Sequence, residues 1–366
     1  MLFLESNIVK LTKLLPGVSN KREFLAKAFG RLGLLSLLER ITARRRPGLV
    51  VLTYHRISEP RANSFYDPVI SATPESFHNQ VKWLSNRVRL LSLHELLAQV
   101  ESAAPWREPA VLLTFDDGYR DNFDQAVPIL HECSAPATFF IATAFLESPR
   151  LPWWDHVACV IKRTHVQRLT VECNVNGGSP PLEIDLQTMS PNAAIMRIIR
   201  AFLDDRIADE HSFLDRLADQ AKVDIDSNRL GRELFMSWDQ LRQLADSGPR
   251  LAIGSHTHSH RKLAKLDDDS QHEELSNSKR ILESRLGRPV NALAYPYGWP
   301  GAYTPITKAL AVQAGYSLAF SSREGINRFV DFDQYDVRRL GIGSADSAVL
   351  VRARTALHAA FGKSFL

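Results

Sequence analysis

The chain has 366 residues, with 45 Lys+Arg against 41 Asp+Glu for a net charge of +4; 45% of it is hydrophobic, and it contains 18 Gly and 19 Pro. That balance excludes a disordered polyelectrolyte, a collagen-like chain and a disulfide-stapled miniprotein, and leaves one large or two modest globular cores. The charge is uneven: residues 1–48 hold ten cations against Glu5, Glu23 and Glu39, so this segment is +7 and the remainder sums to −3.

Residues 1–48 read as one or two helices, with Phe24, Leu25, Phe29, Leu32, Leu35 and Leu38 at helical spacing and basic residues between them. Such a basic amphipathic segment either packs on the following domain with a solvated face or lies on an anionic membrane surface. Glu5 and Lys10 interrupt the first apolar run, so it lacks the continuous apolar core of a signal peptide, and no stretch reaches ~18 apolar residues. Cys133, Cys159 and Cys173 are odd in number without CxxC spacing, which reads as buried free thiols. The expectation is a cytoplasmic protein, at most peripheral to the inner face of the membrane, with no transmembrane helix and no nucleic-acid partner.

From Leu49 onward, short apolar runs alternate with amphipathic stretches. Candidate strands are 49–54, 88–93, 110–115, 136–143, 250–255, 290–295, 316–321 and 336–342, and candidate helices are 74–84, 122–133, 237–248 and 272–287. Near-continuously apolar strands alternating with helices predict an α/β fold with a mainly parallel sheet, either open and doubly wound or closed into a barrel. About a hundred residues between Thr143 and Arg250 exceed what one βα unit needs, about thirty. Residues 149–235 are therefore read as an insertion, with a hairpin at 168–186, and what remains of 49–366 suits one barrel of ~200–250 residues.

Three strand ends carry chemistry. Leu112-Leu113-Thr114-Phe115-Asp116-Asp117-Gly118 puts two carboxylates where parallel α/β folds keep their functional face, and there they repel unless a cation stands beside them. The same residues also suit an ordinary turn capping the next helix. In Gly254-Ser255-His256-Thr257-His258-Ser259-His260, three of the chain's twelve histidines fall within five residues. An extended backbone would put all three on one face, whereas a helical turn would pair His256 with His260 and point His258 away. Two histidines and a carboxylate with open positions suit a catalytic divalent ion, zinc above others, that acidifies water for amide or ester hydrolysis. Ala294-Tyr295-Pro296-Tyr297-Gly298-Trp299-Pro300 makes a rigid, sugar-sized aromatic wall, with Tyr295 and Trp299 as substrate contacts and a loop N–H as an oxyanion donor.

The ordered set TFDDG (114–118), His256-Thr257 with His260, and YPYG (295–298) resembles the polysaccharide deacetylase family, also called the NodB-homology or carbohydrate esterase 4 family, over roughly residues 49–345. The resemblance implies a distorted (β/α) barrel of about seven parallel strands, with the helical and hairpin insertion and the basic N-terminal segment as additions. It also implies a metal, usually zinc, and removal of acetyl groups from the N-acetylated sugars of a glycan. By position, Asp117, His256 and His260 would bind the metal, Asp116 would be the general base, and the Tyr297 backbone N–H would help hold the oxyanion. Many members open the third motif with an arginine that orients the base, where this chain has Ala294, and many end with a Leu-x-His that has no counterpart after position 300. Arg338 or Arg339, on the last candidate strand, can substitute for the arginine, and Arg339 is the one expected at the site; His55, ending the first strand, is the substitute expected for the acid. Tyr54-His55 together with Tyr-Pro-Tyr-Gly looks like the exopolysaccharide and cell-surface variant. Two other classes compete: a glycan-binding member that has lost turnover, and a metal-dependent amidohydrolase using His256 and His258. Trp153 and Trp154 either stack on sugar or anchor the insertion, and the insertion is a candidate lid.

Overall fold

A computed structural model describes residues 21–45, 48–60, 65–105, 107–174 and 180–361. Residues 1–20 and the Arg46-Pro47 stop lie outside the described residues. The chain divides into two compact units: residues up to Ser58 with Ile70–Glu147 and Met236 onward, and Glu59–Val69 with Ser148–Phe235.

In chain order the first unit supplies α1 (Lys21–Arg31), α2 (Leu34–Arg45), β1 (Leu49–Tyr54), β2 (Arg56–Ile57), β3 (Ile70–Ala72), α3 (Pro74–Ser85), β4 (Arg89–Leu90) and α4 (Leu93–Glu101). It continues with β5 (Ala110–Phe115), a π-helical turn at Asn122–Ala126 leading into α5 (Val127–Glu132), β6 (Ala137–Ile141) and α6 (Thr143–Glu147). The second unit holds α7 (Trp153–Arg163), the hairpin β7 (Arg168–Val171) and β8 (Leu182–Asp185), α8 (Pro191–Leu203), α9 (Glu210–Ala221) and α10 (Ser227–Leu234). The first unit resumes with α11 (Trp238–Asp246), β9 (Leu251–Ser255), α12 (Asp268–Leu286), β10 (Ala292–Ala294), α13 (Pro305–Gln313), β11 (Leu318–Phe320), β12 (Leu340–Gly341) and α14 (Ala348–Phe361). Helix starts follow side-chain capping: Ser92 with Glu95 and Ser237 with Gln240 form capping boxes at α4 and α11.

The strands lie in the order β11-β10-β9-β6-β5-β1-β12, with β4 also on β5, and every pairing is parallel. All six positions of β1 and of β5 are buried, because alternate side chains serve two apolar layers. Val50, Leu52, Leu113, Phe139 and Ile141 meet the helices through Phe77, Val81, Leu241 and Leu275. Leu49, Val51, Leu112, Phe140, Ala252, Ala292 and Phe320 face one another inside, closed off at one end by Leu91, Leu93 and Leu96. Val337 bridges to Phe320 of β11, while Leu340 and Gly341 pair with β1. One short segment thereby links the two ends of the sheet and curls it into the expected distorted (β/α) barrel. The far strands are shorter than their apolar runs: β10 and β11 have three residues each and β12 has two, and after β10 Pro296 takes the chain out of the ladder.

α1 and α2 pack on α14, where Leu25, Ala26 and Leu35 meet Leu350, Ala353 and Leu357. Arg352 reinforces the contact by donating to both carboxylate oxygens of Glu39, at 2.8 and 2.9 Å, and to Ser36. The described part of the basic segment is therefore packed against the barrel, as one of the two readings expected. Within the second unit Trp153 stacks on Phe202 at 4.3 Å, placing it in that unit's own core. Glu59–Val69 joins the unit through the Tyr66 N–H on Asp155 (2.7 Å) and Lys162 on Asp67 (2.9 Å). Cys159 and Cys173 are buried free thiols and Cys133 is a half-buried one. Among the described residues no helix is long and apolar enough to cross a membrane.

Candidate metal centre

The site is built where β5, β9 and β10 end. Immediately past β5 the backbone turns left-handed at Asp117 (φ +75°) and Gly118 (φ +86°), which swings the Asp117 carboxylate off the strand axis. Past β9 the same happens at Thr257 (φ +64°) and His260 (φ +58°), and past β10 at Tyr297 (φ +63°). Of the eight non-glycine residues with positive φ among those described, these four stand at the site. Each such conformation costs about 1–2 kcal/mol and persists only where surrounding contacts enforce it.

Those contacts are specific. The His256 N–H donates to the Ile141 carbonyl (2.8 Å), and Thr143 and Ala144 N–H groups donate to the carbonyls of Thr257 (3.2 Å) and His258 (2.8 Å). Glu274, buried on α12, accepts from the N–H of Ser259 at 2.8 Å and from its hydroxyl, while the Glu274 carbonyl accepts the His258 N–H at 3.1 Å. The His258 ring turns away to Thr143 (Nδ1 to Oγ1, 2.8 Å), which separates it from His256 and removes the His256–His258 pair. Glycine is required at 298: with φ +64°, a Cβ there would lie 2.6 Å from Ser322 N and Oγ.

His256, His260 and Asp117 converge. Asp117 Oδ1 is 3.4 Å from His256 Nε2 and 3.3 Å from His260 Nε2, and the three donor atoms lie within 4.8 Å of one another, all from buried residues. His256 Nδ1 donates to the Ala294 carbonyl at 2.7 Å, which leaves its Nε2 as a lone pair aimed at Asp117. Burial lowers the His256 pKa to about 4, opposed by Asp116 and helped by Arg339, and burial with the neighbouring His256 drives His260 well below its usual value. Neutral imidazole nitrogen and carboxylate oxygen thus face each other as lone pairs, an arrangement that repels unless a cation lies between them. Two neutral imidazoles and one carboxylate fit a divalent transition ion with open positions.

Asp116, 2% exposed, is clamped from below. Arg339 donates to Oδ1 and Oδ2 through NH1 and NH2, both at 2.8 Å, and through Nε to the Ser321 carbonyl at 2.9 Å. Burial pushes the Asp116 pKa up, but the guanidinium charge and the two hydrogen bonds outweigh it and hold the group at about 2. Arg338 instead points outward towards Asp331, with its backbone held by Asn327, so pleat alternation selects Arg339 between the two candidates. The His55 ring stands within electrostatic reach of both: burial lowers its pKa, Asp116 opposes and Arg339 assists. Its backbone is fixed on both sides, by Ser71 Oγ accepting its N–H (2.9 Å) and Asn122 Nδ2 donating to its carbonyl (2.6 Å).

The aromatic wall is partly as expected. Tyr297 lies 5.1 Å from the His260 ring and 5.0 Å from Trp299, and both Tyr297 and Trp299 are half-buried. Tyr295, expected to contact substrate, turns inward instead: it is fully buried, stacks on Tyr303 at 4.4 Å and donates its hydroxyl to the Tyr335 carbonyl. Tyr295 keeps the parity of Leu293 and enters the same core layer, whereas the left-handed turn at Tyr297 (φ +63°) takes the chain out of that parity and brings residue 297 to the mouth. Glu274, Thr143 and Ser278, which pairs its hydroxyl with that of Ser255 at 2.7 Å, had no signal in the sequence, since each lies on an element remote from the motif it braces.

The sequence profile described as polysaccharide deacetylase matches residues 103–172 and 201–319, a span that includes Asp116, Asp117, His256, His260 and Tyr297. The chain belongs to the polysaccharide deacetylase family. Among polysaccharide deacetylase relatives, YxkH of Bacillus subtilis (strain 168), assigned to the same family, is 20% identical over 278 residues, 76% of this chain and 65% of its own length. The poly-beta-1,6-N-acetyl-D-glucosamine N-deacetylase of Escherichia coli (strain K12) is 26% identical over 103 residues, 28% of this chain and 15% of that protein. The chain thus spans less than two thirds of either relative. Two solved structures share the fold: Streptococcus pyogenes deacetylase PplD in complex with acetate (TM-score 0.52, 19% identity, 84% of this chain and 97% of that one) and IcaB from Ammonifex degensii (TM-score 0.53, 20% identity, 85% and 97%).

Proposed function

We propose that the protein is a metal-dependent hydrolase that removes acetyl groups from the N-acetylated sugars of a poly- or oligosaccharide of the exopolysaccharide type. The observation that carries this reading is the buried Asp117–His256–His260 set with a second carboxylate, Asp116, locked beside it by Arg339. The name of the Escherichia coli relative supports an N-acetylglucosamine polymer as substrate class.

Asp117, His256 and His260 would hold the ion, zinc being the expected one. When bound, a divalent cation of this kind acidifies a coordinated water from about 15.7 towards about 7 and polarises a carbonyl. Asp116, ionised throughout the neutral range, would orient the attacking water and accept its proton. A carboxylate held at about 2 retains a proton weakly, so Asp116 would act as a relay rather than a store. The Tyr297 N–H, presented by the left-handed turn, would donate to the carbonyl oxygen as negative charge develops there. His55, half-buried directly after β1 and within electrostatic reach of Asp116 and Arg339, would carry the proton to the departing amine. Trp299 beside Tyr297 would support one sugar face.

The test is to incubate purified protein, with zinc restored, with a panel of N-acetylglucosamine oligomers that includes the β-1,6-linked series, and to measure free acetate alongside bound metal. Wild type releases acetate in proportion to occupancy; Asp117→Asn and His260→Ala lose both. Acetate release by either variant without bound metal would reject the reading, and tight glycan binding with no acetate at full occupancy would make the protein a binding member of the fold.

A further inference from the structure

We infer that the α1–α2 hairpin is a docking surface for an anionic lipid bilayer, a contact independent of the deacetylase reading. Among the described residues, the apolar side chains that the hairpin buries, Leu25, Ala26 and Leu35, lie on the side that meets α14 (Ala348–Phe361). On the other, Phe24, Leu32, Leu34 and Leu37 are 50%, 73%, 36% and 55% exposed, which makes them four of the ten large exposed apolar side chains among the described residues, within fourteen positions. Single exposed leucines are ordinary, but a cluster around one helical turn is not.

Charge is sorted across the same two helices. Both acids face α14: Glu23 accepts from the Ser347 hydroxyl at 2.6 Å and Glu39 from Arg352. The cations Lys27, Arg31 and Arg40 are exposed, and helical spacing sets Lys27 and Arg31 beside Phe24 on α1 and Arg40 beside Leu37 on α2. Lys27 contacts Glu23 at 3.3 Å yet keeps 58% of its side chain in solvent. Apolar side chains between cations, with acids withdrawn, complement an interface of acyl chains and anionic headgroups. A protein partner with an acidic groove would match the cations but leave the leucines at the exposed turn uncovered.

Full-length protein is co-sedimented with vesicles of phosphatidylcholine mixed with phosphatidylglycerol, and with phosphatidylcholine alone, at low and at raised salt. Wild type should partition onto the mixed vesicles and be released by salt. Leu32→Ser with Leu37→Ser should weaken binding by at least about tenfold, the scale for losing two inserted side chains. Arg31→Glu with Arg40→Glu should weaken it by about fivefold or more per position. Melting temperature and metal content of each variant, unchanged from wild type, show that the barrel is intact. Three results overturn the inference: wild-type partition by both double variants, equal binding to neutral vesicles, or a concentration-dependent dimer in sedimentation velocity that Leu32→Ser with Leu37→Ser abolishes. Loss of binding on deleting residues 1–20 with no effect of the double variants would likewise assign the contact elsewhere.

Discussion

The two ends of the barrel are made from the same strands and turn their chain by different means. At the end where strands begin, helices hand over through glycines in the left-handed region, Gly248, Gly287 and Gly315, or through the small residues Ala103 and Ser134 directly after helix caps. There the leucines of α4 close the interior, and no side chain at a turn is needed for more than solvation. At the end where strands finish, the left-handed positions hold Asp117, Thr257, His260 and Tyr297, none of which is comfortable there. The difference shows what the mouth optimises: placement of side chains, at the expense of backbone ease, with hydrogen bonds from Glu274, Thr143 and Arg339 holding the result.

Five substitutions and one change of condition sharpen that contrast. Asp116→Asn leaves the three candidate metal ligands in place and should lower acetate release by 10²- to 10⁴-fold at unchanged metal content, the range for a lost general base; turnover within threefold or so of wild type would show that the mouth holds Asp116 for charge balance alone. Arg339→Ala leaves a buried carboxylate without its cation and should destabilise the fold by about 3–5 kcal/mol in urea titration. Arg339→Lys, lacking the two-pronged fork, should recover only part of that loss.

Acid should damage the mouth before the far end. His256 is held neutral by burial down to about 4 against an ordinary 6.5, so as pH falls through that window the unfolded chain takes up the proton first. Stability of the metal-free protein is therefore greatest above 6.5 and should drop by about 3 kcal/mol as pH reaches about 4, with Asp116 adding a further loss towards its own value near 2. A urea midpoint that stays flat between neutral pH and pH 4 would contradict a buried neutral pair. The smallest effect is conformational. Thr257→Gly removes a fully buried side chain whose hydroxyl has no hydrogen-bond partner, yet it should cost less than about 1 kcal/mol because it releases left-handed strain. Gly287→Ala, at the opposite end, should cost about 1 kcal/mol by introducing that strain.

Much of this was legible before any coordinates. β1 and β5 match their apolar runs because both faces of a parallel strand are buried and hydrophobicity alone marks their limits. Asp116, Asp117, His256 and His260 were legible because strand-end chemistry is concentrated in short motifs. What failed were matters of pleat and distance. Tyr295 was expected at the mouth because an apolar run followed by a turn does not show where the chain leaves the pleat; Arg339, preferred to Arg338, is the one of the two that meets Asp116. Glu274 sits fourteen positions beyond His260 on a helix that reads as solvated, and Glu59–Val69 gives no compositional sign of joining the second unit.

The closing segment has a consequence for the order in which the molecule acquires its properties. Translation has delivered Asp117, His256 and His260 by residue 260, but Arg339 lies on the last stretch that joins β11 to β1. Without that stretch the sheet has two free edges and Asp116 lacks its guanidinium partner. In chain order the three candidate ligands therefore precede the residue that fixes Asp116, and under the proposed function Asp116 would be oriented as a base only once Arg339 is in place.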